Sequence, residues 1–395
     1  MTPSPLIVSL CVMMGAYTFC VGSIPVLIPE MGAALGLVDW QLGLIGGAFG
    51  LARMVTDIPA GLLVTHHARR AVIAAPVFML GGAGFVASGG AGFGWLLLGQ
   101  ISMSVGYTLA NLASVTIILR QTPPSQLGRS LNAFEFSAMI SLLGAVTLIG
   151  LLPGAMPWNI AFLVGCAVMV VGVMALRSLL TQLEPTDHAR PWFARMTTES
   201  QSNDGGSLTT VILAFIAGAS VALTYTTLSA FVIPLRGSRE FGLERAGIAH
   251  LLMLVQACDI VALLPVGALA DARGASRVLS VVLLAMAAAI GLIGFGTLPQ
   301  VIGGCVLFGL GMAGWMLPLN LLRSATPTAH VAWRTAIYRV CVDGGMFLGP
   351  FLSGVLAAST PALLPRIMAG VLVTLAVLLL VLGRGRRRHV YPERA

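Results

Sequence analysis

The sequence predicts an all-α membrane protein with twelve transmembrane helices in two six-helix halves. Three observations predict it. The first is composition: of 395 residues, 57% are hydrophobic and only 9% are charged. The mean hydropathy is +0.95. A soluble domain carries roughly a quarter charged residues, so the chain is read as polytopic, with the lipid bilayer as its main partner. The second is a series of apolar segments long enough to span, since a spanning helix needs about 20 residues. The third is an internal repeat at a constant offset.

The apolar segments run over 6–29, 40–64, 71–90, 94–119, 129–152, 158–180, 208–234, 244–270, 277–297, 300–322, 332–358 and 362–383. The start, "MTPSPLIVSL", lacks the basic residues of a secretory signal. The first segment is therefore expected to be an uncleaved helix. Between the sixth and seventh lies "TQLEPTDHARPWFARMTTESQSNDGG", rich in turn and polar residues, which reads as a linker. The expected organisation is an N-terminal half over 1–180, a linker over 181–207, a C-terminal half over 208–383 and a basic tail over 384–395.

The formal net charge is +8, and all 22 basic residues are arginine. Their placement argues against nucleic acid. Sixteen lie in the even-numbered gaps and the tail, four in the odd-numbered gaps, and two inside helices. Such asymmetry is a topology signal. It places both termini and the linker in the cytoplasm. The alanine-, glycine- and arginine-rich composition points to a bacterial inner membrane. The six cysteines all fall in apolar segments with no C-x-x-C pair, so neither a metal site nor a disulfide framework is signalled. Adjacent His66 and His67 lack other donors nearby in sequence and read as a solvated loop.

The repeat is carried by four landmarks. Pro29 matches Pro234, and Gly144 matches Gly349. "PAGLLVTHHARRAVI" at 59–73 matches "PVGALADARGASRVL" at 265–279, and "RQTPPSQLGR" resembles "RSATPTAHVAWR". A near-constant offset indicates two halves in parallel repeat.

With its twelve helices, central loop and glycine-acid-basic loop after helices 2 and 8, the sequence resembles the major facilitator superfamily. The resemblance covers residues 1 to about 383. That family's loop reads roughly G-x-x-x-D-R-x-G-R-R. The second copy keeps Gly267, Asp271 and Gly274, with Arg273 and Arg277 displaced. The first keeps Gly61, Arg69 and Arg70, but has Thr65 for the aspartate, His66 for the arginine and Ala68 for the glycine. Glycine permits a tight turn and close approach. The acid and the arginines can form an ion-pair cluster that breaks and reforms as the halves rock; alternatively the arginines only fix topology.

The resemblance implies a major facilitator fold, and helices 1, 4, 7 and 10 as the lining of a central path. Their polar and aromatic residues are Tyr17, Thr18, Tyr107, Asn111, Tyr225, Thr226, Trp315 and Asn320. Each has a plainer reading as a helix–helix hydrogen bond or an interfacial aromatic.

Helix 2 carries Arg53 and Asp57 one turn apart; helix 11 carries Arg339 and Asp343 at the same spacing. From the cytoplasmic helix ends, Asp57 lies about 12 Å deep and Arg339 about 10 Å, Arg53 about 18 Å and Asp343 about 16 Å, at 1.5 Å per residue. Depths thus match Asp57 with Arg339 and Arg53 with Asp343. The resemblance implies that these helices pack across the halves. The quartet is expected to help close the cytoplasmic side and to rearrange on opening. Alternatives are neutralisation within each helix, and an arginine meeting an anionic substrate.

Asp259 lies about 18 Å deep in helix 8, with no arginine or lysine at its depth in that helix. Glu135, in helix 5, lies about 10 Å deep. A carboxylate at the bilayer centre is costly unless it faces a cavity or is protonated. Asp259 is the expected proton carrier and Glu135 a secondary site; the alternative for Asp259 is a bond to neighbours such as Gln256.

The function expected is secondary active transport of a small organic solute by alternating access, coupled to protons, by a monomer without cofactor. Two rivals remain. One is a drug/proton antiporter, although helix 5, "SLLGAVTLIGLLPG", lacks the glycine-rich G-P pattern and "GMFLGPFLSG" lies in helix 11 instead. The other is a receptor on a transporter scaffold. No Walker loop is present, so ATP-driven transport by this chain alone is not expected. No nucleophile–base set marks an enzyme.

Overall fold

The structure is a computed structural model that describes residues 4–88, 92–182, 208–327 and 330–388. Much of the expected linker (183–207) and the end of the tail (389–395) lie outside the described residues. Among them, twelve helices are long and apolar enough to cross a membrane. They are α1 Pro5–Leu35, α2 Asp39–Thr65, α3 His67–Ala87, α4 Phe93–Gln121, α5 Gln126–Leu151, α6 Trp158–Thr181, α7 Leu208–Arg239, α8 Arg245–Arg273, α9 Ala275–Phe295, α10 Leu298–Ser324, α11 Trp333–Ala357 and α12 Leu363–Val381. Helices satisfy their own backbone hydrogen bonds, which a hydrocarbon environment demands.

Several helices bend where the sequence gives a reason. α1 turns at Ser23, whose hydroxyl donates to the Cys20 carbonyl at 2.7 Å just before Pro25. α7 carries a π turn at Leu228–Val232 ahead of Pro234. α10 loosens at 313–316 before Pro318. The loop between α2 and α3 is hardly a loop: the helix continues through a kink at His67, with φ −141° and ψ 52°. Gly274 makes the sharper α8–α9 turn with φ 91°, a conformation L side chains rarely adopt.

α1–α6 form one half and α7–α12 the other. The repeat reappears in the packing. A Cβ on Gly144 would lie 3.2 Å from Phe19, so α5 sits close on α1. A Cβ on Gly349 would lie 2.5 Å from the Leu223 carbonyl oxygen, so α11 sits close on α7. Cys20 and Cys166, buried between α1 and α6, have sulfurs 3.0 Å apart as free thiols.

The halves meet chiefly where α2 crosses α11, where α5 meets α8, and where α1 meets α7. The α2–α11 crossing is a seam of small residues. A Cβ on Gly47 would lie 2.6 Å from the Phe347 carbonyl oxygen, and one on Gly50 2.7 Å from the Asp343 carbonyl oxygen. Such residues let helix backbones touch, which is how helices associate in lipid. The seam occupies only the half of each helix remote from the chain termini. Towards the terminus side, a Cβ on Gly61 would meet nothing within 4 Å. Val55, Ile58 and Leu62 of α2 are exposed there, as are Trp333 and Ile337 of α11.

Candidate functional site between the halves

Two layers of polar side chains join the halves. The remote layer is a seal. Arg245, at the start of α8, is 2% exposed. Its Nε donates to Glu30 Oε1 of α1 at 2.8 Å, and a terminal nitrogen donates to Glu30 Oε2 at 2.5 Å. The guanidinium also donates to the carbonyls of Pro153 at 3.1 Å and Met156 at 2.6 Å, both in the α5–α6 turn. A planar fork of donors suits such bidentate capture. One arginine of the second half thereby ties down two segments of the first. Arg239 adds a partly exposed ion pair to Asp39 at 2.7 Å. On the same side, Gly150 of α5 lies directly against the Ala249 side chain of α8.

The central layer lies deeper. Arg53 Nε is 3.2 Å from Asp343 Oδ1. The N–H is not aimed at the oxygen, so this is an ion pair without a formed hydrogen bond. The Arg53 guanidinium also lies over the Phe49 ring at 5.5 Å, and Phe49 meets Tyr107 edge-on at 5.1 Å. Tyr107 lies near Thr18 and in the fields of Arg53 and Glu135. Glu135, exposed on α5, is acted on by Arg339 and Arg53. Tyr225 of α7 lies near Gln256, Asp259 and Tyr107 of the other half. Trp315 meets Tyr225 edge-on at 5.8 Å. Asp259 is 8% exposed, and its Oδ1 has no hydrogen-bond partner among the described residues.

Residues from α1, α2, α4 and α5 of one half and α7, α8, α10 and α11 of the other therefore converge on one level. The layer holds two guanidiniums, carboxyls, aromatic rings and amide groups. Such a set can bind a small polar molecule, orient it by ring faces and hydrogen bonds, and exchange protons with it. Asn111 is half-buried and Asn320 exposed, and neither has a side-chain partner among the described residues. Thr18 and Thr226 bond back to the Met14 and Ala222 carbonyls of their own helices at 2.9 and 3.0 Å.

Other placements differ from the sequence expectations. Tyr17 is 0% exposed. Its ring packs near Gly172 of α6, inside the first half and away from the space between halves. An aromatic hydroxyl in a span does not reveal which helical face carries it. Of the quartet, Arg53 meets Asp343, but Asp57 and Arg339 are not in ion-pair contact, and neither pair closes within its own helix. The Arg53–Asp343 contact stands at the base of the packed seam, with the terminus-side ends of α2 and α11 apart.

The glycine-acid-basic loops show no ion-pair cluster among the described residues. Asp271 and Arg273 are exposed, and Arg277 is half-buried. In the first copy, Thr65 donates to the Gly61 carbonyl at 2.8 Å, and Arg120 donates to the Thr65 carbonyl at 2.9 Å. Arg69 is half-buried and Arg70 exposed. No group of three His, Cys, Asp or Glu residues that could hold a metal occurs among the described residues.

The Arg245 clamp is what sequence reasoning missed. Arginine at a helix mouth looks like a topology signal. The available clue was Glu30, an acid directly after the repeat's Pro29 landmark.

Residues 6–201 and 210–395 match the family model described as Major Facilitator Superfamily. No curated protein sequence matches the chain. Among solved structures, it is similar to a POT family transporter in complex with a thioalcohol-conjugated peptide, with a TM-score of 0.80, 14% identity and 96% of each chain covered. It is also similar to the nucleoside transporter NupG, with a TM-score of 0.71, 14% identity, and 95% of this chain and 98% of that one covered. A bacterial homologue of the human lysosomal transporter Spinster gives a TM-score of 0.70 at 16% identity, with 96% of each chain covered.

Proposed function

The chain belongs to the major facilitator superfamily of membrane transporters, and from that premise we propose that it is a proton-driven secondary transporter of a small organic solute. Solute binds in the central layer, between Tyr107 and Glu135 on one side and Tyr225, Asp259, Trp315 and Arg339 on the other. Sites of this kind lie near the midplane between repeat halves.

The observation that carries the reading is Asp259: a buried carboxyl with an orphaned oxygen, in the layer where the halves meet. An ionisable group at membrane depth is a functional site by default. Its neighbours Gln256 and Tyr225 are neutral groups that solute can share. Asp259 carries the coupling proton, with Glu135 as the secondary site. Arg53, Asp57, Arg339 and Asp343 form the moving contact between α2 and α11.

The arginine asymmetry supports cytoplasmic termini, and the arginine-, alanine- and glycine-rich composition supports a bacterial inner membrane. On that orientation the Arg245 clamp and the glycine seam close the periplasmic side, and the splayed ends open inward. The cycle then requires the Arg245–Glu30 lock to part while the terminus-side ends of α2 and α11 close. The loop arginines Arg69, Arg70, Arg273 and Arg277, with Asp271 and the glycines Gly61, Gly267 and Gly274, supply contacts for that inward-closed state.

Purified protein is first screened by thermal shift against organic acids, amino acids, sugars and cationic dyes. The stabilising solute is then offered to proteoliposomes under an imposed proton gradient. Accumulation above the external level, abolished by a protonophore, is expected. Solute binding without accumulation under any gradient would make the protein a receptor on a transporter scaffold.

A further inference from the structure

A pair of thiols lies where α1 and α6 touch inside the first half. Cys20 and Cys166 have sulfurs 3.0 Å apart. Cys20 is 0% exposed and Cys166 8%. The backbones hold this approach on both sides of the pair. A Cβ on Gly165 would lie 3.3 Å from the Ser23 side chain, and one on Gly172 2.9 Å from the Ala16 side chain. Each cysteine also stands at a break in its helix. The Cys20 carbonyl accepts from the Ser23 hydroxyl at the bend of α1. α6 loses its regular helix at 167–168, directly after Cys166. At the repeat offset set by Pro29 and Pro234, Tyr225 and Val371 take the places of the two cysteines, so the second half has no equivalent pair.

We infer that Cys20 and Cys166 are an oxidation site, at which hydrogen peroxide closes a disulfide between α1 and α6. A disulfide needs its sulfurs about 2.05 Å apart, so side-chain rotation covering about 1 Å closes the gap with the helices in place. The more exposed Cys166 sulfur attacks the peroxide first. An S–O bond forms and the O–O bond breaks, giving a sulfenic acid and one water that takes up the thiol proton. The Cys20 sulfur then attacks the Cys166 sulfur. The S–S bond forms, the S–O bond breaks, and a second water leaves with the second thiol proton. Two thiols are oxidised and one peroxide is reduced to two waters. Burial slows the first attack, so the bridge registers sustained oxidant rather than a brief pulse.

The bridge acts on the Arg245 clamp. Past Cys20, the remote arm of α1 carries Glu30. Ahead of Cys166, α6 leads back to the turn that offers the Pro153 and Met156 carbonyls. Those two segments supply all four acceptors of the Arg245 guanidinium. With free thiols the two arms are held to each other by packing alone. The disulfide makes them one covalent unit. A socket fixed beforehand loses less freedom when it grips its guanidinium. Oxidation therefore favours the remote-closed conformation. Neither solute nor proton enters this step, so it goes beyond the transport reading.

The full chain in lipid nanodiscs is divided into a portion kept in reductant and a portion held for hours in hydrogen peroxide. Each is unfolded in detergent, alkylated with N-ethylmaleimide, digested and read by mass spectrometry. The reduced protein should be labelled at all six cysteines. The oxidised protein should lack label on Cys20 and Cys166 and yield their two peptides joined, lighter than the sum by two hydrogens. Reductant should restore both labels. Hydrogen exchange is then followed in the folded portions. Exchange over 24–35 and 158–166 should slow several-fold in the oxidised wild type and not respond to peroxide in Cys20→Ser or Cys166→Ser, which control for methionine oxidation. Label retained on both cysteines, or Cys166 oxidised to a sulfonic acid with no joined peptide, would overturn the site. Exchange that is unchanged by the bridge, or slowed equally in the serine variants, would overturn its action on the clamp. Bridge and exchange are both read in the wild type, so a variant that folds poorly does not decide the outcome.

Discussion

Arg245 shows how much one side chain can decide. Its guanidinium is satisfied by two carboxylate oxygens and two backbone carbonyls. Breaking a buried charge pair by removing one partner costs about 3–5 kcal/mol, because the remaining charge is stranded. Glu30 retains some access to water, with its side chain 30% exposed, so the low end applies. Arg245→Ala should therefore weaken the remote-closed state by about 3 kcal/mol. Spin-label distances across the remote face would show a broadened or lengthened distribution; an unchanged distribution would deny the clamp its role. Arg239→Ala removes an exposed pair worth under about 1 kcal/mol and should leave that distribution nearly intact. The clamp was not legible in the sequence. Composition placed Arg245 among topology signals, and nothing in spacing linked it to a residue 215 positions away. Tyr17 failed for a related reason: its chemistry suited a cavity, but its helical face points into the first half. The depth match of Arg53 with Asp343 was legible, since rise per residue fixes depth. The failure of Asp57 to meet Arg339 was not, because depth says nothing about azimuth.

At the scale of elements, the α2–α11 seam makes a second prediction. Gly47 and Gly50 face backbone atoms of α11, which cannot move aside as a side chain could. Gly47→Leu should force the helices apart at a cost of about 1–3 kcal/mol or more, typical of overpacking. The closed remote face should lose population, read as faster labelling of a reporter residue placed on the remote half of α2. Gly61→Ala is the control, since a Cβ there meets nothing within 4 Å; equal labelling rates in the two variants would contradict the seam. The helices themselves were legible almost throughout, because apolar length marks a span regardless of context. Their bends were less so. The π turn at Leu228–Val232 and the loosened stretch at 313–316 come just before prolines the sequence displays, yet proline alone does not say whether a helix kinks or stops.

For the whole molecule, orientation and coupling are the two matters a membrane protein of this family turns on. Arginine placement predicts that a reporter active only in the cytoplasm works when fused after residue 390 or inserted within 185–205, and fails near residue 237. Activity at 237 would invert the orientation and exchange the two faces. The two-half architecture was legible from four landmarks at a constant offset, and the same landmarks now appear as equivalent close contacts, Gly144 on α1 and Gly349 on α7. The state of the molecule, closed on one side and splayed on the other, was not legible, because one sequence must serve both ends of the cycle.

The central claim is that a proton on Asp259 drives solute movement between the halves. Asp259→Asn in proteoliposomes tests it most directly, with the solute found by thermal shift. Accumulation driven by an imposed proton gradient should fall to the level of passive equilibration, while counterflow exchange of labelled for unlabelled solute continues at a rate near that of the wild type. Undiminished accumulation under the proton gradient would contradict the claim.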